Sequence, residues 1–242
     1  MRSNRLLKHP RARRYYFRMK DARLSEQERR VEWHLRRYLN EQRDRLLERM
    51  PTDRKGLGDV IFNKEEEKKL LKTAIAPVIR SIAIEEGKDT AARFGVDFEV
   101  TSRVEEFISE RSADVSDSIT ETTFSQIQRE LEKATEEGLD YNDMGRRLEE
   151  KYDEVKDGRG KVIARTESHT AATKADYEAM RQAGIESKIW VAVLDDVTRP
   201  EHAAMDGTEI PIDRDFELPD GTNIHIPGDG PPEHSINCRC RI

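Results

Sequence analysis

The chain has 242 residues, 35% of them hydrophobic and 38% charged, with a net charge of −6. That length suits one large domain or two smaller ones, and the low apolar share points to long helices with wide solvated faces. No apolar run is long enough to span a bilayer, and the N-terminus lacks the apolar stretch of a signal peptide, so synthesis in the cytoplasm and no membrane contact are expected. The charge is uneven: residues 1–50 hold 16 Lys/Arg against 7 Asp/Glu, and the remainder 27 against 42. A basic arm on an acidic body suggests a polyanion or an acidic protein surface as partner, the plainer alternative being a helix whose charge only keeps it solvated.

Residues 1–14 are basic and contain Pro10, and read as an irregular arm. From about Tyr15 to Met50 a long helix is predicted, with Val31, Leu35, Tyr38, Leu39 and Leu46 on one narrow stripe. Pro51 would stop it, and Gly56-Leu-Gly58 would form a loop or hinge. Asn63, three residues before Glu66, opens a second helix whose broad apolar face runs from Leu70 to Ala83, with a kink expected at Pro77 and weak points at Gly87 and Gly95. A short helix near 101–112 and a longer one ending at Gly138 follow, then a helix capped by Asp140 with Met144 and Leu148 inward. Gly158-Arg-Gly160 reads as a break, and the last long helix stops at Gly184.

Beyond Gly184 the pattern changes. Lys188–Leu194 is a continuous strand-like run, and Thr198-Arg-Pro-Glu201 has the spacing of a capped short helix carrying His202. Asp220-Gly221 marks a hairpin. Ile236, Cys238, Cys240 and Ile242 alternate with Asn237, Arg239 and Arg241 as on a strand. The expected fold is α+β: a predominantly helical body with a long N-terminal helix and a small C-terminal mixed, β-rich module. The expected division is 1–62, 63–185 and 186–242.

Four groups of residues could carry chemistry. Cys238 and Cys240, at i and i+2, would point the same way, and a disulfide between them would close a strained ring. With His202, His225 or His234 they could hold Zn²⁺; the alternative is a pair of buried core thiols. Asp195, Asp196 and the same histidines could hold a divalent ion for hydrolysis, although no HExxH frame surrounds them. Arg165 and Glu167 share a helix, which favours docking contacts over a catalytic pair. The arm offers Arg11, Arg13, Arg14, Arg18 and Lys20, interleaved with Tyr15, Tyr16 and Phe17, for sequence-independent contact with nucleic acid or for a protein partner.

Ile163-Ala-Arg-Thr-Glu167, Gly184, Trp190, Asp195, Thr198-Arg199, His202, Gly207, Pro227-Gly-Asp229 and Ile236-Asn-Cys-Arg-Cys240 occur in that order. Together they resemble the phage head morphogenesis family, the minor head proteins similar to protein F of phage Mu, over roughly residues 100–242. The resemblance implies a non-enzymatic minor capsid component of a tailed phage. It would be present in several copies in the virion, in the head interior or at the portal vertex, and in the host cytoplasm during assembly. Its partners would be the portal protein and other capsid components, with DNA contact during packaging or ejection. His202, Cys238 and Cys240 fall on motif positions; zinc there is expected from their residue types and not from the family. The competing reading is a metal-dependent nuclease or hydrolase acting on nucleic acid.

Overall fold

The computed structural model describes residues 8–50 and 61–242; the expected stop at Pro51, the Gly56–Gly58 hinge, and Arg2 and Arg5 of the arm lie outside them. The described chain is mostly helical, and its strands are confined to two short hairpins near the C-terminus. The helices are α1 (Pro10–Glu48), α2 (Lys64–Arg93), α3 (Ser102–Glu136), α4 (Tyr141–Glu154) and α5 (Gly160–Gln182). They sort into two compact units. The first takes Met1–Arg29, Ile79–Glu106 and Val162–Ile242, and the second takes Arg30–Val78 and Phe107–Lys161. Each unit is assembled from separated segments, so the units do not follow the contiguous boundaries at 62 and 185.

Helix α1 begins at Pro10, earlier than expected. Proline at the first helical position is no obstacle, because its missing N–H would have no intrahelical partner there. Its buried stripe includes Val31, Leu35, Tyr38, Leu39 and Leu46, but the same face continues through Arg13, Lys20, Leu24, Gln27 and Gln42. In the second unit Tyr38 donates from its hydroxyl to Glu67 at 2.9 Å, and Gln42 Nε2 donates to the Tyr38 hydroxyl at 2.7 Å.

Helix α2 starts where expected: the Asn63 side chain accepts the Glu66 N–H at 3.2 Å. It runs unbroken through both Pro77 and Gly87. Gly87 is a packing residue, since a methyl group there would come within 2.4 Å of the Phe98 ring. Helix α3 is likewise one element where two were expected. Small hydroxyl residues hid the continuity. Ser112 and Ser116 are buried on the core stripe and return their hydroxyls to the carbonyls one turn back, at 2.5 and 2.6 Å.

Gly138, at φ +71°, ends α3, with the Leu139 N–H reaching the Ala134 carbonyl. Asp140 caps α4 by accepting the Asp143 N–H at 2.9 Å, and Met144 and Leu148 are buried as expected. The break expected at Gly158–Gly160 is instead a π-helical turn, Val155–Arg159, which passes α4 into α5 without leaving helical geometry. Within the first unit α5 is buried on nearly every side, and its small residues, Ala171, Ala172, Ala175 and Ala179 among them, leave room for neighbours to approach closely.

The C-terminal region packs on α5. Strand β1 (Ser187–Ile189) pairs antiparallel with β2 (Glu209–Pro211), with Lys188 opposite Ile210. Strand β3 (Phe216–Glu217) pairs with β4 (Asn223–Ile224) across the expected Asp220-Gly221 turn. Two short helices, α6 (Pro200–Ala204) and α7 (Pro232–Ser235), complete it. Trp190 and Phe216, both 0% exposed, anchor its apolar core, with ring centroids 5.1 Å apart. The strand expected over Lys188–Leu194 is shorter: it ends at Ile189, and Leu194 itself leaves extended geometry at φ +59°. The final segment makes a single bridge, Val191 to Arg241, in place of a full strand.

Candidate metal centre

Two elements bring the sulfur and nitrogen ligands together. His202 comes from α6, whose N-cap is Arg199 with no side-chain cap bond; Thr198, expected to cap, instead binds Asp195 at 2.8 Å. Cys238 and Cys240 come from the tail. A turn in which the Cys238 N–H meets the Ser235 carbonyl, with Asn237 at φ +57°, swings the tail inward. Asparagine tolerates that left-handed conformation better than most residues. Both sulfurs face inward, as alternation required, while Ile236 is exposed and Arg241 is buried, against it.

His202, Cys238 and Cys240 are all buried, and one ligand atom from each lies within 4.8 Å of the others. His202 Nδ1 is 3.7 Å from Cys238 Sγ and 3.6 Å from Cys240 Sγ. A tetrahedral zinc ion, with Zn–S of about 2.3 Å and Zn–N of about 2.0 Å, separates its nitrogen and sulfur ligands by about 3.5 Å. The donor set therefore fits a Cys₂His zinc site, and both the softness of the ligands and their spacing suit that ion.

The surroundings favour a charged sulfur. The Cys240 thiol hydrogen bond holds Cys238 well below the ordinary thiol range; the imidazoles of His169 and His202 add to this against the opposing effect of burial. Cys240 is pushed up in return, by Cys238 and by burial, while the Trp190 indole N–H and the Val193 backbone N–H act the other way. The lowering of Cys238 suits a cation, since zinc binds the deprotonated form.

His234 and His225, the other nitrogen candidates, separate. His234 Nδ1 lies 3.2 Å from His202 Nε2, behind the centre, whereas His225 Nδ1 pairs with Asp215 at 2.7 Å. Asp195 is held by Arg239 and Thr198. Of the set considered for hydrolysis, only His202 and His234 meet.

The α5 helix fixes the tail. The His169 Nε2 and the Cys240 carbonyl are 2.6 Å apart, the Thr166 hydroxyl accepts the Asn237 N–H at 3.1 Å, and the Thr170 hydroxyl donates to the Gly228 carbonyl at 3.2 Å. Gly228 is at φ +92°, and a methyl group on it would come within 2.8 Å of His169 Nδ1, so glycine is required there both for conformation and for space. Burial holds His169 below the ordinary imidazole range. These residues share no apolar pattern that would have marked them as tail contacts. Arg165, expected to face the same module, instead reaches Glu28 of α1 at 3.4 Å, and Glu167 is buried.

The basic arm divides. Arg13 clamps Asp206 with Nε and Nη2, the latter at 2.9 Å. Lys20 is 1% exposed and spends all three protons, on Glu86 at 2.7 Å, Asp176 at 2.8 Å and Thr90 at 3.0 Å. Burial alone would lower the Lys20 pKa, yet Asp176, Tyr16 and Glu86 lift it above the ordinary lysine value. Arg11, Arg14 and Arg18 are exposed.

A protein from Enterococcus faecalis (strain ATCC 700802 / V583), named NAD(+)--arginine ADP-ribosyltransferase EFV, is 31% identical to this chain over 108 residues; the match covers 43% of this chain and 22% of that protein. No solved structure matches the chain. The family model described as Phage Mu protein F like protein matches residues 125–242, a stretch that holds α5, all four strands and the three candidate ligands, and this part of the chain is a Phage Mu F-like domain.

Proposed function

We propose that the chain is a minor capsid, or head-morphogenesis, protein of a tailed phage. In this reading it sits in several copies at the portal vertex or the inner head surface and acts by binding rather than by turnover. The match of residues 125–242 to the Phage Mu F-like model carries the reading. The geometry supports it: polar residues of α5 such as Thr166 and His169 hold the tail in place, and zinc at His202, Cys238 and Cys240 would staple a module whose strands are two or three residues long. No helix among the described residues is long and apolar enough to cross a membrane, which accords with a particle component.

The activity in the name of the enterococcal relative is not part of this reading. The shared segment is 22% of that protein, and here Arg165 pairs with Glu28 on α1. Contact with packaged DNA falls to Arg11, Arg14 and Arg18, since Arg13 and Lys20 are committed internally. Co-expression with the portal protein of the same phage, followed by affinity purification and electron microscopy, tests the assignment. A complex with the chain seated on the portal is expected. A free monomer that cleaves phosphodiesters, with turnover abolished by His202→Ala, would establish the nuclease reading instead.

A further inference from the structure

We infer that Asp220 and His234 are positioning residues of the metal centre: a carboxylate–imidazole–imidazole relay that fixes the His202 tautomer so that its Nδ1 lone pair faces the two sulfurs. The inference rests on the metal-centre reading above.

A histidine can bind a metal through a ring nitrogen only if that nitrogen carries no proton. His202 presents Nδ1 to both sulfurs, so the proton of the neutral ring must sit on Nε2. A buried N–H needs an acceptor, and His234 Nδ1 lies 3.2 Å away. For Nδ1 of His234 to accept, its own proton must sit on Nε2, and that atom is 3.0 Å from Asp220 Oδ2. The contacts thus form one directed chain, each N–H donating toward the carboxylate.

The carboxylate sets the direction. An ionised Asp220 accepts only, so it requires the proton on His234 Nε2. The reverse arrangement would aim the His234 Nε2 lone pair at a negative oxygen and put a proton on His202 Nδ1, between the sulfurs. Asp220 is itself held, its Oδ1 accepting the Thr222 N–H at 2.9 Å within the β3–β4 turn. The ring nearest the centre and the one behind it are 2% and 6% exposed, so water does not compete freely for either. Metal-bound histidines are generally oriented by such an outer partner, whose loss weakens metal binding about 10- to 100-fold. Here the partner reaches the carboxylate through a second imidazole.

The test uses the full chain and two readouts. In metal-free protein, nitrogen-15 NMR of the rings should show both His202 and His234 protonated on Nε2. In Asp220→Asn, whose amide can donate, His202 should shift toward the Nδ1–H form. Cobalt(II), titrated against a competing chelator, should bind the wild type with thiolate-to-cobalt absorption. It should bind Asp220→Asn and His234→Gln about 10- to 100-fold more weakly with the same thiolate bands, and Asp220→Glu should recover part of the loss. Wild-type affinity in both variants, or a His202 ring unmoved by Asp220→Asn, overturns the relay and leaves the metal centre standing. Correct tautomers without cobalt binding by the wild type would overturn the centre, and with it the positioning role. Thermal unfolding of the metal-free variants separates a merely structural effect, which would lower their stability and leave affinity intact.

Discussion

Lys20 was legible only as one more cation of a basic arm. In the structure it is the hub of the first unit, and what hid it is sequence distance: Glu86 and Asp176 lie 66 and 156 residues away. Burial alone would raise the Glu86 pKa, but Lys20, Arg241 and Arg23 hold it below its ordinary value. Removing one partner of a buried ion cluster leaves the others charged without compensation, so Lys20→Met should cost about 3–5 kcal/mol in denaturant unfolding. A loss below about 1 kcal/mol, the worth of a surface pair, would contradict this. Lys188 is the opposite case. Its ammonium donates to the His225 carbonyl at 2.6 Å beside the Tyr177 and Phe216 rings, and burial lowers its pKa to about 8. The unfolded chain therefore holds this proton up to the ordinary lysine value of 10.5 while the folded chain releases it near 8. Stability should then rise with pH between those values. Lys20 does not oppose that slope, because its raised pKa keeps its contribution intact below 10.5. The difference in unfolding free energy between wild type and Lys188→Met, followed from pH 7 to 10, should move in favour of wild type. A pH-independent difference would contradict the assignment. The juxtaposition of His202, Cys238 and Cys240 was legible, because their residue types in the motif order singled them out. The contact of Asp220 with His234 was not, since Asp220 reads as a turn residue and is one.

At the scale of elements, the apolar stripe of α1 was legible where it was apolar. Its first half was missed because Arg13, Lys20 and Gln27 occupy core-facing positions as polar residues with partners. The same physics split α3 on paper, where buried Ser112 and Ser116 satisfy their hydroxyls on the helix's own carbonyls and interrupt the hydrophobic period. Caps fared better, since Asn63 and Asp140 act locally and their partners lie three residues on. The turn from α1 periodicity to a candidate interface follows directly. Arg11, Arg14 and Arg18 recur at helical spacing on one exposed face beside Tyr15, which is 67% exposed. Replacing all three by Gln should weaken duplex binding uniformly across sequences and flatten the log–log salt dependence by about 3. The Arg13→Gln variant should alter stability more than the salt slope. An unchanged slope in the triple variant would remove this face as the DNA contact.

On the scale of the molecule, the mostly helical body and the small hairpin-bearing C-terminal region were both legible, from helical periodicity and from the change of pattern after Gly184. The assembly of each unit from distant segments was not, because the helices that join them carry no boundary signal. The Phage Mu F-like stretch, residues 125–242, in consequence falls in both units: 125–161 in the second and 162–242 in the first, which also takes Met1–Arg29 and Ile79–Glu106. A fragment 125–242 would leave Asp176 without Lys20 and Asp206 without Arg13. It should fail to show cooperative thermal unfolding, and a sharp transition near that of the full chain would contradict this. The central proposal, that the chain works as a particle component, is tested most directly by its partition in infected cells: quantitative mass spectrometry of gradient-purified heads and of the free protein pool. The account predicts a fixed small number of copies in the heads, reduced when Cys238 and Cys240 are replaced by Ser. Its presence in the free pool alone, with heads that assemble and fill normally without it, would contradict the account.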